Sequence, residues 1–116
     1  MIRQGDISLH KIEQLPAGVK EAKDNILAYG EITDHRHWLN SEKVCVFEDI
    51  HKNKFVKLEQ DTQLIHSDSS LEPVFDKDIA TKQDKHLTIT VQKGFYAVKQ
   101  EREFNIFDEE VRQVLD

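Results

Sequence analysis

A small, mainly β domain, built as a barrel or a sandwich and finished by a short C-terminal helix, is the fold class that this chain of 116 residues predicts. Three observations predict it. Short extended segments, alternating in polarity or rich in β-branched and aromatic residues, recur at close spacing along most of the chain. Proline and glycine stand between them, at Pro16, Gly18, Gly30 and Gly94, where turns are needed. One stretch alone, near the end, has the capping and spacing of a helix. The size suits a single domain spanning 1–116.

In chain order, Asp6 to Ile12 alternates, with Ile7, Leu9 and the stem of Lys11 on one side, until Leu15-Pro16-Ala17-Gly18 breaks it. Asn25 to Tyr29 ends at Gly30, His35 to Leu39 follows, and Lys43 to Glu48 is rich in Val, Cys and Phe. Phe55 to Leu58 and Gln63 to His66 are expected as an extended pair around Gln60-Asp61. From 67 to 85 the pattern lapses into Ser, Asp and Lys, with Val74-Phe75 the one apolar pair, and a long surface loop or mobile flap is expected. His86 to Val91 sets Thr88 and Thr90 against Leu87, Ile89 and Val91, Lys93-Gly94 turns, and Phe95 to Phe104 is the longest strand candidate. Asp108 can cap a helix over 108–115, Glu109 and Glu110 suit its positive end, and Val111 and Leu115 share one face.

Composition bounds the function. At 38% hydrophobic and 33% charged, with apolar residues in runs, the chain is not built to stay disordered. A net charge of -6, with lysines and arginines interleaved among acids, argues against nucleic acid as the partner. Cys45 is the only cysteine, so it reads as a small buried thiol and no intramolecular disulfide can form. No run reaches the length of a membrane span and the first residues do not read as a signal peptide, which leaves a cytoplasmic location as the expectation. A domain of this size buries roughly two-thirds of its unfolded surface, so a metal would serve function rather than folding.

The concentrated chemical signal is histidine, of which there are six. His35-Arg36-His37 matters most, because alternate residues of a strand face the same way, with Cα atoms roughly 6.5 to 7 Å apart. Nitrogens from such a pair can converge on one ion at about 2.0 to 2.1 Å. Imidazole suits Zn, Fe, Ni, Cu or Mn. Alone, the spacing more often marks an exposed polar face than a metal site. Context favours a site: Glu31 offers a carboxylate near a turn, as ligand or as acceptor orienting a histidine, while His66 ends one segment and His86 opens another. The competing account of His66 and His86 is polar residues at strand ends. His10 and His51 read as solvent-exposed, and Trp38 should face away from His37. No nucleophile motif or phosphate loop is present, and whether the chain is an enzyme stays open.

The segments Arg3-Gln4-Gly5-Asp6-Ile7, Gly30-Glu31-Ile32-Thr33-Asp34-His35-Arg36-His37 and Gly94-Phe95-Tyr96-Ala97-Val98, with the ending Gln100-Glu101-Arg102-Glu103-Phe104, carry a resemblance. The chain resembles a group of small bacterial and phage-type proteins of unassigned function with RQGD and GE-x-T-G-H-x-H motifs. Asp34 stands where that pattern has Gly. The H-x-H is also similar to the first motif of the cupins, small barrels that commonly hold a metal by two such histidines, a Glu and a later His. On that likeness His35 and His37 match the pair, the Glu is displaced, and His66 or His86 is the later ligand.

Together these readings predict a cupin-like or related β-barrel that binds a divalent transition metal (Zn, Fe, Ni or Mn) through His35, His37, His66, His86 and Glu31, acting on a small molecule if it acts at all. The alternative is a non-catalytic interaction module of phage or mobile-element origin with incidental histidines. A third reading is a metal-independent small-molecule barrel. A homodimer or a protein partner is compatible with each.

Overall fold

The computed structural model describes residues 1–29, 35–68, 70–79 and 88–101. The elements that lie wholly within these residues are β-strands: β1 (Ile2–Gln4), β2 (Ile7–Ile12), β3 (Lys20–Glu21), β4 (Ile26–Tyr29), β5 (His35–Leu39), β6 (Val46–Glu48), β7 (Lys54–Leu58), β8 (Thr62–Asp68), β9 (Thr88–Val91) and β10 (Gly94–Gln100). The helix expected over 108–115 lies outside the described residues. So does the expected end of the last strand beyond Glu101. No helix among the described residues is long and apolar enough to cross a membrane.

The strands form two sheets rather than one closed barrel. The larger has the order β1-β2-β10-β7-β6-β3 and the smaller β4-β5-β8-β9, with every adjacent pair antiparallel. Among the described residues no ladder joins the two, which corrects the barrel expectation. Side chains stitch them instead: Lys54 Nζ donates to Ile26 O at 2.8 Å, and Gln100 Nε2 to Tyr29 O at 3.0 Å. The segments around Gln60-Asp61 also differ from expectation. β7 pairs in the larger sheet and β8 in the smaller, so the chain crosses between sheets there. Each segment buries its own apolar face, and pairing partners were free to differ.

Period-two alternation sends one row of each sheet into a shared core. Ile7, Leu9, Val46, Val56, Leu58 and Tyr96 of the larger sheet meet Leu27, Ala28, Leu39, Leu64 and Val91 of the smaller, with buried Cys45 beside them. Each such aliphatic side chain stabilises the fold by about 1.5–3 kcal/mol on burial. The outer face of the smaller sheet carries a second cluster, Ile26, Trp38 and Ile65, covered by Ile79 and Leu71. The 70–79 stretch is fastened across it. Arg36 Nη2 donates to Leu71 O at 2.9 Å, and the Asn40 amide both accepts from Asp76 N at 2.9 Å and donates to Asp76 O at 3.0 Å. Ile79, which is buried, and Leu71, which is half-buried, rather than Val74-Phe75, are the apolar residues of this stretch that pack on the cluster; Val74 remains 66% exposed.

Candidate functional site

The site forms at one end of the two-sheet body, where the inner row of the smaller sheet turns polar. Along the β5–β8 ladder Leu39 lies opposite Leu64, His37 opposite His66, and His35 opposite Asp68. These residues alternate with Trp38 and Ile65, which belong to the outer face. His37 and His66 stack with ring centroids 4.2 Å apart at 15°, and the His35 ring lies 5.4 Å from His66, tilted by 60°. Three of the histidines singled out from the sequence are therefore together. His86 and Glu31 lie outside the described residues. His10 stands elsewhere, with Nε2 2.9 Å from Ser8 Oγ, and His51 is exposed beside Asp49 in the β6–β7 connection.

What covers this row is the β1–β2 hairpin, and its role was not read from the sequence. Gln4 pairs with Ile7 across the two-residue turn Gly5-Asp6. Gly5 takes φ +57, as the first central residue of a type II′ turn does. A Cβ there would stand 3.1 Å from His37 Cε1 and 3.5 Å from His66 Cε1, so a side chain would push into the imidazoles. The absence of a side chain at Gly5 lets the turn lie against the rings. Gln4 and Asp6 then flank His37. Its Nδ1 is 2.9 Å from Gln4 Oε1 and its Nε2 is 2.9 Å from Asp6 Oδ1. Gln4 Nε2 donates onward to Leu64 O at 2.9 Å.

The end of β10 secures the hairpin. Gln100 Nε2 donates to Asp6 Oδ2 at 2.9 Å, Glu101 N to Asp6 O at 2.6 Å, and Arg3 grips the Glu101 carboxylate with both Nη atoms at 2.9 and 2.8 Å. Residues from the start, middle and end of the chain thus meet here. Their types hint at polarity, but nothing in their spacing announces that they touch.

Burial decides the electrostatics. The His37 side chain is 1% exposed and that of Asp6 29%. Burial pushes His37 below the ordinary imidazole value, neighbouring His66 adds to this, and Asp6 opposes it. His66 is lowered as well, by burial first and then by His35, again against Asp6. For Asp6 burial acts upward, but hydrogen bonding from Gln100 and the proximity of His37 outweigh it and leave the carboxyl below its usual value. The site therefore favours unprotonated imidazoles beside an ionised carboxylate. His35 Nδ1 is buried without a hydrogen-bond partner among the described residues.

Such a set can accept a cation or exchange a proton. As the side chains stand, no group of three or more His, Cys, Asp or Glu among the described residues is arranged to hold a metal ion. Two surface grooves, one beside Cys45 and Phe47 and one beside Phe95, have none of the histidines among their described lining residues.

No curated protein and no solved structure matches this chain. A family model matches residues 3–101, a span that takes in Arg3, Gln4, Asp6, the histidine row and Gln100-Glu101. By that match the chain belongs to a family described as a domain of unknown function, DUF8820.

Proposed function

We propose that this domain binds a divalent transition metal (Zn, Fe, Ni or Mn) at the end of its two-sheet body, through His37 and Asp6 with His66 and His35 beside them. The observation that carries the reading is the facing pair of donor atoms. His37 Nε2 and Asp6 Oδ1 are 2.9 Å apart, with the imidazoles of His66 and His35 adjacent. Two donors each about 2.1 Å from one ion are roughly 3.0 Å apart at a right angle and about 3.4 Å apart at a tetrahedral angle. The pair thus stands near the separation an ion would impose. Neutral imidazoles are the ligating form, and burial favours that form for His37 and His66.

Completion of the shell asks for a rotation of His66 or His35, or for a ligand from His86 or Glu31. In this reading Asp6 replaces Glu31 as the carboxylate with an assigned position. A metal held this way could polarise a small ligand or activate water.

The test uses untagged protein, because a polyhistidine tag would supply its own signal. Zn or Ni at about 100 times its dissociation constant adds roughly 2.7 kcal/mol to the folded state, read as a rise in melting temperature. H37A and D6N should each remove the rise, whereas H51A should keep it. An untagged wild-type protein whose melting temperature ignores both metals would refute the proposal.

A further inference from the structure

We infer that Gln4 is a positioning residue: it holds His37 in the tautomer protonated on Nδ1, so that the nitrogen facing Asp6 carries a lone pair. The inference follows from donor and acceptor roles around one side chain. Gln4 is only 6% exposed, and among the described residues its amide meets Leu64 O and His37 Nδ1. Leu64 O can only accept, so the Gln4 atom 2.9 Å from it is the NH2. The other end of the amide is then the carbonyl Oε1, which also can only accept. His37 Nδ1, 2.9 Å from that oxygen, must be the donor. The imidazolium would carry a second proton on Nε2; the neutral imidazole, which burial favours for His37, has one proton, and it is now placed. Nε2 is left with its lone pair directed at Asp6.

The opposite arrangement has a definable cost. Turning the Gln4 amide over would let Nε2–H of His37 donate to Asp6, but it would set Gln4 Oε1 against Leu64 O. Leu64 is fully buried, with no solvent to relieve two facing oxygens. In the arrangement observed, the strained contact is Nε2 against the Asp6 carboxylate, and Asp6 is 29% exposed. Solvent, a proton or a cation can reach it. The unfavourable contact is thereby placed where something from outside can resolve it.

The consequence concerns what His37 can do. With the proton on Nε2, His37 would be a structural donor to Asp6 and could neither ligate nor accept a proton at that end. With the proton on Nδ1, it presents a basic nitrogen toward the accessible side of the cluster. Orientation of a basic imidazole by an acceptor on its other nitrogen is a recurring device in metal and acid–base sites. The tautomer itself does not depend on a metal being bound, and it deepens the metal reading by naming the residue that makes His37 competent.

The experiment is long-range proton–nitrogen NMR on histidine-labelled, metal-free protein at about pH 8, above the ordinary imidazole range. The wild type should show His37 protonated on Nδ1 and bare on Nε2. Q4L removes the acceptor, and His37 should lose the Nδ1–H pattern in favour of Nε2–H donating to Asp6. A wild-type spectrum with a proton on Nε2, alone or together with Nδ1–H, would overturn the inference, as would a folded Q4L that keeps Nδ1–H. Should Q4L fail to fold, the wild-type spectrum still decides. An Nδ1–H wild type that binds no metal would defeat the metal proposal alone; a metal-binding wild type with Nε2–H when metal-free would defeat the tautomer assignment alone.

Discussion

Two adjacent rungs of one ladder divide the molecule into its stable and its reactive parts. Leu39 and Leu64 face each other across β5 and β8, and His37 and His66 do the same one inward-facing step along. Leu39 and His37 are equally buried, at 1% exposure. Their demands differ. A leucine asks only for apolar neighbours, which Leu27, Val56 and Val91 and others in the core supply. A buried imidazole asks for a partner at each nitrogen, and an unmet one costs about 1–3 kcal/mol. For His37 the neighbours of both nitrogens come from a hairpin of the other sheet: Gln4 accepts at Nδ1, and Asp6 faces Nε2. The apolar rung therefore holds the two sheets together without specifying contacts, while the polar rung specifies which hairpin lies over it and leaves an ionisable pair of which only Asp6 reaches solvent.

The largest expected effect breaks the apolar rung. Leu64→Ala should destabilise the domain by about 2–5 kcal/mol in chemical denaturation, from lost burial plus the cavity left behind. His66→Ala, one rung away and partly exposed, should cost clearly less. Equal costs would erase the distinction between the two rungs.

A smaller effect tests the cover over the polar rung. Gly5→Ala places a methyl 3.1 Å from His37 Cε1 on a backbone at φ +57, and a loss of about 1–3 kcal/mol is expected. Gly18→Ala is the control, since Gly18 also has positive φ, at +85, but no atom within 4 Å of the added Cβ. The Gly5 variant should lose more stability and move the His37 NMR signals, which the Gly18 variant should leave in place. Matching melting temperatures would mean that the turn does not press on the imidazoles.

The mildest perturbation is pH. Burial, then His66, holds folded His37 below its ordinary value of 6.5, and burial, then His35, does the same for His66. The unfolded chain takes up these protons first on acidification. Stability is thus full above about pH 6.5 and declines as pH falls from there toward the depressed folded values. Asp6, lowered from 3.8, adds a loss of the same sign further into acid, as pH falls through its folded value. Denaturation of metal-free protein at about pH 7.5 and about pH 5.5 reads the histidine part. The decline should shrink in His37→Leu, and an unchanged decline would place its origin outside the polar rung.

The sequence by itself determined most of the local elements, though not the short strands Ile2–Gln4 and Lys20–Glu21, because strand alternation and turn residues act over a few positions. Ile7 and Leu9 on one face, Trp38 opposed to His37, and Gly94 at the head of the last strand all follow from the two-residue period and from glycine at a turn. The same period made the shared face of His35 and His37 legible, and apolar neighbours made Cys45 legible as buried. Tertiary structure alone decided the rest. That β7 and β8 part into different sheets, and that Leu71 and Ile79 cover Trp38, depends on which apolar faces find each other, and many pairings satisfy the same local pattern. The meeting of Gln4, Gly5 and Asp6 with His37 depends on a turn of the larger sheet packing over the inner row of the smaller one. Polar residues carry no periodic mark of their partners. A glutamine that must donate to one buried carbonyl and accept from one imidazole becomes recognisable only once the chain has placed all three within hydrogen-bond reach.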